Sequence, residues 1–199
     1  MPPPLISLPT FDRSDDIVCA LDDELRIVYC NPAWDRFAAE NDGEGCESKR
    51  VIGTPILSHI SEPLTRFFRT TFEVVLESGD PFEFDYECSS GLTYRMFRMR
   101  IQPVSGPASL LVVHSLRVER PHDRPAVPPD DGRYRSPDGF IVMCCYCRRT
   151  RRVAQPGVWE WVPDYVSRVP PQVSVGICPT CFAIFYPDIY VQRAAAASK

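Results

Sequence analysis

The chain has 199 residues, enough for one ordinary domain with a real core and a second unit too small to rest on its own core alone. Its 44% hydrophobic and 24% charged content excludes wholesale disorder, and no apolar run reaches the roughly 18 residues that a membrane span requires. The formal charge of -4 is uneven: residues 1–139 carry 15 basic and 23 acidic side chains and residues 140–199 carry 7 and 3, so the second part is mildly basic.

After the proline-rich start, Asp16-Ile-Val-Cys-Ala-Leu21 reads as a short strand, Asp22-Asp-Glu24 as a polar turn, and Leu25-Arg-Ile-Val-Tyr-Cys30 as the second strand of a hairpin. Asn31 and Pro32 then start a helix, Asn31 as an acceptor for an unpaired backbone N–H and Pro32 because it has no N–H to leave unpaired. Trp34, Phe37 and Ala38 fall on one face of it. The stretch from Asn41 to Arg50 reads as a loop, followed by a short turn or helix ending near Ser61. A longer helix is expected from Glu62 to Glu77, with Leu64, Phe67, Phe68, Phe72, Val75 and Leu76 at helical spacing and Gly79 placed to end it. Three strands follow, Pro81 to Ser89, Leu92 to Val104 and Ser109 to Val118, joined by Ser89-Ser-Gly91 and Ser105-Gly-Pro107 turns. This order predicts an α+β fold: a five-stranded antiparallel sheet with helices packed on one face.

Ile27-Val-Tyr-Cys-Asn-Pro-Ala-Trp34 at the second strand and first helix, Val51-Ile-Gly53 before the middle helices and Arg98-Met-Arg-Ile-Gln-Pro-Val104 in the fourth strand stand in this order of elements. Through these pieces, residues 12–118 resemble a PAS domain, the sensor fold common in bacterial signalling. The resemblance implies a pocket between sheet and helices in which a haem, flavin or small metabolite can bind, its identity unknown here. Flavin-binding photoactive members carry a reactive cysteine after the middle helices, and Leu57 to Phe68 contains none. His59 is the candidate pocket ligand, since haem ligation needs a histidine near those helices, and its plainer reading is a helix-end or surface residue. His114 reads as an ordinary strand residue and His122 as part of the linker.

Residues 1–11 are read as an N-terminal extension, 119–138 as a Pro-rich linker, 139–190 as a cysteine module and 191–199 as a tail. Within the module, Cys144 and Cys147 form one Cys-x-x-Cys pair and Cys178 and Cys181 a second, with 30 residues between them. Two thiolates three residues apart in a tight turn reach one ion at about 2.3 Å, and a second such turn closes a tetrahedral shell suited to zinc, although iron is also accepted. Four thiolates leave no position open for water, so the role expected is structural. Trp159, Trp161, Tyr165, Phe182, Phe185 and Tyr186 are expected to shield the site. Cys145 sits between two proposed ligands, and the spacing favours Cys144. The rival readings are a redox-active dithiol or plain buried thiols; Cys19, Cys30, Cys46 and Cys88 read as small core hydrophobes. The module also resembles the cysteine-containing tail that follows PAS or response-regulator modules in bacterial signalling proteins. That likeness rests on Cys144-Cys-Tyr-Cys-Arg-Arg149, Gly157-Val-Trp159, Asp164-Tyr-Val166, Gly176-Ile-Cys-Pro-Thr-Cys181 and Phe185-Tyr-Pro187.

Arg148, Arg149, Arg151 and Arg152 are the candidate contacts to a phosphate or a partner, with a solvated basic turn as the bland alternative. No recognition helix follows them and the whole chain is acidic, which argues against nucleic acid. No nucleophile elbow, phosphate-binding Gly loop or paired carboxylate set is present, so no enzyme is expected. An odd number of cysteines and an N-terminus with no basic segment leading into an apolar one predict a cytoplasmic protein rather than a secreted disulfide scaffold. The resulting expectation is a non-enzymatic signalling protein that acts through protein contacts, with a histidine kinase or transcription regulator as partner and a homodimer implied by the resemblance. The alternatives are a nucleic-acid-binding regulator and a thiol redox or metal sensor.

Overall fold

The computed structural model describes residues 3–41, 43–60 and 64–186, and these fall into two compact units: Met1–Glu87 with Arg95–Glu119, and Cys88–Tyr94 with Arg120–Lys199. The first unit is built on β1 (Ile17–Leu21), β2 (Ile27–Cys30), β3 (Phe82–Glu87), β4 (Thr93–Pro103) and β5 (Leu110–Pro121), in the order β2-β1-β5-β4-β3. β1 pairs antiparallel with β2 and with β5, and β3 pairs antiparallel with β4. Strand alternation sorts the side chains: Phe82, Phe84 and Tyr86 of β3 lie on the face that meets the helices, while Glu83 and Asp85 lie on the other. On that second face Arg98 holds Asp85 through two hydrogen bonds of 2.8 and 3.0 Å, which keeps the Asp85 carboxyl below its ordinary range.

Helix α1 (Pro32–Glu40) begins as its sequence dictates, and Asn31 does more than cap it. Its buried amide accepts from Trp34 N (3.2 Å) and from Val18 N (3.0 Å), and donates to Asp16 O (2.9 Å) and Phe11 O (3.1 Å). One side chain therefore ties helix, hairpin and N-terminal segment together. A one-turn α2 (Ser48–Val51) forms in the stretch expected to be loop, and Ile56–His59 forms a 3-10 turn. Helix α3 (Leu64–Ser78) buries Phe68, Phe72 and Val75 against the sheet; the expected start at Glu62 and the Ser61 end of the preceding turn lie outside the described residues.

The opposite sheet face is also covered. Leu8–Arg13 forms a 3-10 helix, and Ile6, Leu8 and Phe11 pack on Val18, Ala20 and Leu111, with Ser105 N bonded to Pro4 O at 2.9 Å. The residues read as an extension are thus, from Pro3 onward, part of the fold.

The second unit has a small sheet that sequence periodicity did not reveal: β6 (Ile141–Cys144), β7 (Thr150–Arg151), β8 (Trp159–Glu160) and β9 (Val173–Gly176), ordered β8-β7-β6-β9. Around it lie α4 (Asp131–Tyr134), α5 (Pro163–Ser167) and α6 (Pro179–Phe185). Tyr134, Ile141, Met143, Val162 and Tyr165 form a buried core, so the stretch read as a linker contributes a core residue. Glu160 accepts from Arg133 (2.8 Å), Tyr134 Oη (2.8 Å) and both ends of the Arg152 guanidinium (2.5 and 2.7 Å). Residues 187–199, with Pro187 of the tail motif and the expected tail 191–199, lie outside the described residues.

Candidate metal centre and sensor cavity

The two Cys-x-x-Cys turns meet because β6 and β9 run parallel, with Cys144 opposite Gly176. Each strand therefore delivers its turn to the same sheet end. The first turn is closed by Arg148 N donating to Cys144 O (3.1 Å) and Cys144 N to Arg149 O (2.8 Å), and it needs Arg148 at φ 60, a left-handed conformation rare for a side-chain-bearing residue. In the second, Cys178 caps α6 while Pro179 occupies the first helical position.

The four sulfurs of Cys144, Cys147, Cys178 and Cys181 are buried and all lie within 4.8 Å of one another, with Cys147 Sγ to Cys178 Sγ at 3.6 Å. A tetrahedral shell with bonds of about 2.3 Å has sulfur–sulfur edges of about 3.8 Å, so this set has the size a zinc or iron ion fits. Two backbone N–H groups already point at sulfur: Cys178 N to Cys144 Sγ and Cys181 N to Cys178 Sγ, both 3.4 Å. Hydrogen bonds from the neighbouring thiols Cys145, Cys147, Cys178 and Cys181 hold the Cys144 thiol well below its ordinary value. Four thiolates packed this closely repel one another, and a divalent cation at their centre removes that cost. Cys145 is half-buried and stands outside the group of four.

Of the aromatics expected around the sulfurs, Phe185 stacks on Tyr146 at 3.7 Å and Trp159 lies against Gly176, where an added Cβ would come within 3.3 Å of its ring. Others serve elsewhere. Trp161 packs on His122 at 4.2 Å, and Tyr165 meets Tyr134 edge-on in the core.

The four arginines do not share one role. Arg152 is tied to Glu160 and to Gln155 Oε1 (2.9 Å), Arg148 is exposed, Arg149 is partly buried just before β7, and alternation in β7 puts Arg151 on the face opposite the buried Thr150.

In the first unit, a cavity of about 340 Å³ lies between sheet and helices, walled by apolar side chains such as Trp34, Phe37, Phe72 and Met99. His59 is on its lining, with Nε2 2.7 Å from Thr54 Oγ1, so the ring atom an axial haem bond would use is already engaged. His114 lines the cavity too, although its sequence position suggested nothing special. Its Nδ1 lies 2.8 Å from Tyr86 Oη, and burial lowers its pKa to about 4, which makes it a neutral hydrogen-bonding group. The available signal was alternation along β5, which places Leu110, Val112 and His114 on one face. Among the described residues, no helix is long and apolar enough to cross a membrane.

A family profile described as "PAS fold" matches residues 11–118. Similar solved structures include the photoactive yellow protein domain of the sensor histidine kinase Ppr from Rhodospirillum centenum, at 15% identity and TM-score 0.41 over 55% of this chain and 92% of that one. The PAS domain of BvgS from Bordetella pertussis matches at 16% identity and TM-score 0.40, over 55% of this chain and 80% of that one. The PAS domain of nitrogen regulation protein NR(II) from Vibrio parahaemolyticus matches at 21% identity and TM-score 0.34, over 56% and 98%. No curated protein matches the chain.

Proposed function

This chain belongs, through residues 11–118, to the PAS-fold family, and from that premise we propose that it is a non-enzymatic cytoplasmic signalling protein in which a small-molecule-sensing unit is followed by a zinc-stapled module. The sensing part rests on one observation, the cavity between sheet and helices, whose apolar walls and few polar groups (His59, His114, Tyr86) suit a largely apolar ligand oriented by one or two hydrogen bonds. Cys144, Cys147, Cys178 and Cys181 are the zinc ligands in this reading. When bound, the ion supplies charge neutralisation and a cross-link; the protein holds the sulfurs at one sheet end, excludes water and donates two N–H bonds.

The output is contact with another protein, a histidine kinase or a transcription regulator, or with a second copy of this chain. Arg148, Arg149 and Arg151 are the basic side chains left for such a contact, since Arg152 is tied to Glu160. That division weighs against a continuous phosphate-binding turn for nucleic acid.

The sensing reading is tested by thermal-shift screening of the full chain against small apolar and aromatic metabolites, beside a Val112→Trp variant that fills the cavity. A compound that raises the melting temperature of the native protein and not of the variant supports it. A panel without effect on either protein, with nothing retained on purification, counts against ligand sensing.

A further inference from the structure

Cys19 and Cys30 stand directly opposite each other in the β1–β2 hairpin. At the adjacent position Asn31 N donates to Val18 O (3.0 Å) and Val18 N donates back to the Asn31 side chain, so Val18 and Asn31 occupy the hydrogen-bonded site. Antiparallel ladders alternate, which makes Cys19–Cys30 a non-hydrogen-bonded pair, the class with the closer backbones at about 4.5 Å between Cα atoms. That separation lies inside the span of about 4.4–6.8 Å that a disulfide bridges. Both side chains project to the same side: Cys19 belongs to the helix-facing core and Cys30 packs against that core. Cys19 is 1% exposed and lines the sensor cavity, whereas Cys30 is half-buried and within reach of a small reagent.

We infer that Cys19 and Cys30 are a redox pair, which a peroxide closes into a disulfide in the wall of the sensor cavity. The half-exposed Cys30 sulfur attacks one peroxide oxygen, the O–O bond breaks, and the leaving oxygen departs with a proton as water or an alcohol. Cys30 is then a sulfenic acid. The Cys19 sulfur attacks it, the S–S bond forms, and the hydroxyl leaves as a second water with the Cys19 proton. Two thiols lose two electrons and one peroxide gains them. Burial pushes both thiols up, so little thiolate is present at neutral pH and the first step is slow.

The functional weight of this inference rests on the sensing reading, but its chemistry is tested separately. The full chain is treated with hydrogen peroxide, its remaining thiols are alkylated under denaturing conditions, and trypsin cuts after Arg13, Arg26 and Arg36, leaving Cys19 in peptide 14–26 and Cys30 in peptide 27–36. The expected result is loss of both alkylated peptides and appearance of the linked pair, two hydrogens lighter than the free peptides together and separated again by a thiol reductant. A Cys30→Ser chain should keep Cys19 fully alkylated. Recovery of both peptides alkylated, or linkage of either to the exposed Cys46 or to a module cysteine, overturns the inference while leaving the ligand-response test of the cavity untouched. Failure of that test with the linked pair present would overturn sensing and leave the redox pair.

Discussion

The Sγ atoms of Cys147 and Cys178 stand 3.6 Å apart although the two residues are 31 positions apart in the chain. Parallel pairing of β6 with β9 brings them together, so the metal shell and the small sheet depend on each other. A structural zinc contributes on the order of 10 kcal/mol in small modules, as much as burial of the five side chains in this unit's core. Chelation should therefore open β6, β7 and β9 to hydrogen exchange while β1 and β5 keep their protection. Uniform protection after the metal is stripped would show that the second unit stands on its own core.

Asn31 makes four hydrogen bonds from a fully buried position. Asn31→Ala removes the partner of the Val18 N–H and of the Asp16 carbonyl, while Trp34 N keeps its bond to the Asn31 carbonyl and Phe11 O keeps Ser14 N, and should destabilise the first unit by about 2 kcal/mol in chemical denaturation. Asn31→Asp keeps the two acceptor bonds and should lose less than Ala if the N–H groups dominate.

His114 gives the first unit an acid-sensitive component. Its pKa falls from an ordinary 6.5 to about 4 on folding, so the unfolded chain takes up a proton that the folded one refuses between those values. The stability this contributes is complete above 6.5, is lost progressively as pH falls toward 4, and amounts to roughly 3 kcal/mol. His114→Gln should flatten that part of the stability–pH curve, as measured by denaturant unfolding at about pH 7 and about pH 4.5. An unchanged curve would mean that the ring is solvated.

Glu160 is only 13% exposed at its side chain and receives two arginines and a tyrosine. Glu160→Gln should cost about 2–4 kcal/mol, because Arg133 and Arg152 lose a shared counter-charge in a partly buried site. Arg149→Ala should stay within about 0.5 kcal/mol and affect partner binding instead. Equal losses from the two would contradict the division of the basic run.

Elements with a strong local pattern were legible in the sequence: the alternation in β3, the apolar stripe of α3 and the Asn31-Pro32 start of α1. The cysteine spacing was legible because thiolate chemistry fixes both residue type and separation. What escaped was built by tertiary pairing. β7 and β8 are two residues each, too short to show any period, and α2 is a single turn in a stretch whose Gly43 and Gly45 read as loop. Tyr134 looked like linker because its burial depends on Glu160 and Tyr165, 26 and 31 residues further along. His114 reads as a cavity residue only once Tyr86 is brought beside it by the sheet.

The central claim is that one metal ion organises the second unit, and native mass spectrometry of the full chain as purified tests it most directly. The account predicts a mass increment of one zinc per chain, absent from a Cys178→Ser variant, with any remaining extra mass pointing to the cavity ligand. A folded wild-type chain carrying no metal would contradict it, and the four buried sulfurs would then stand as a thiol cluster in their own right.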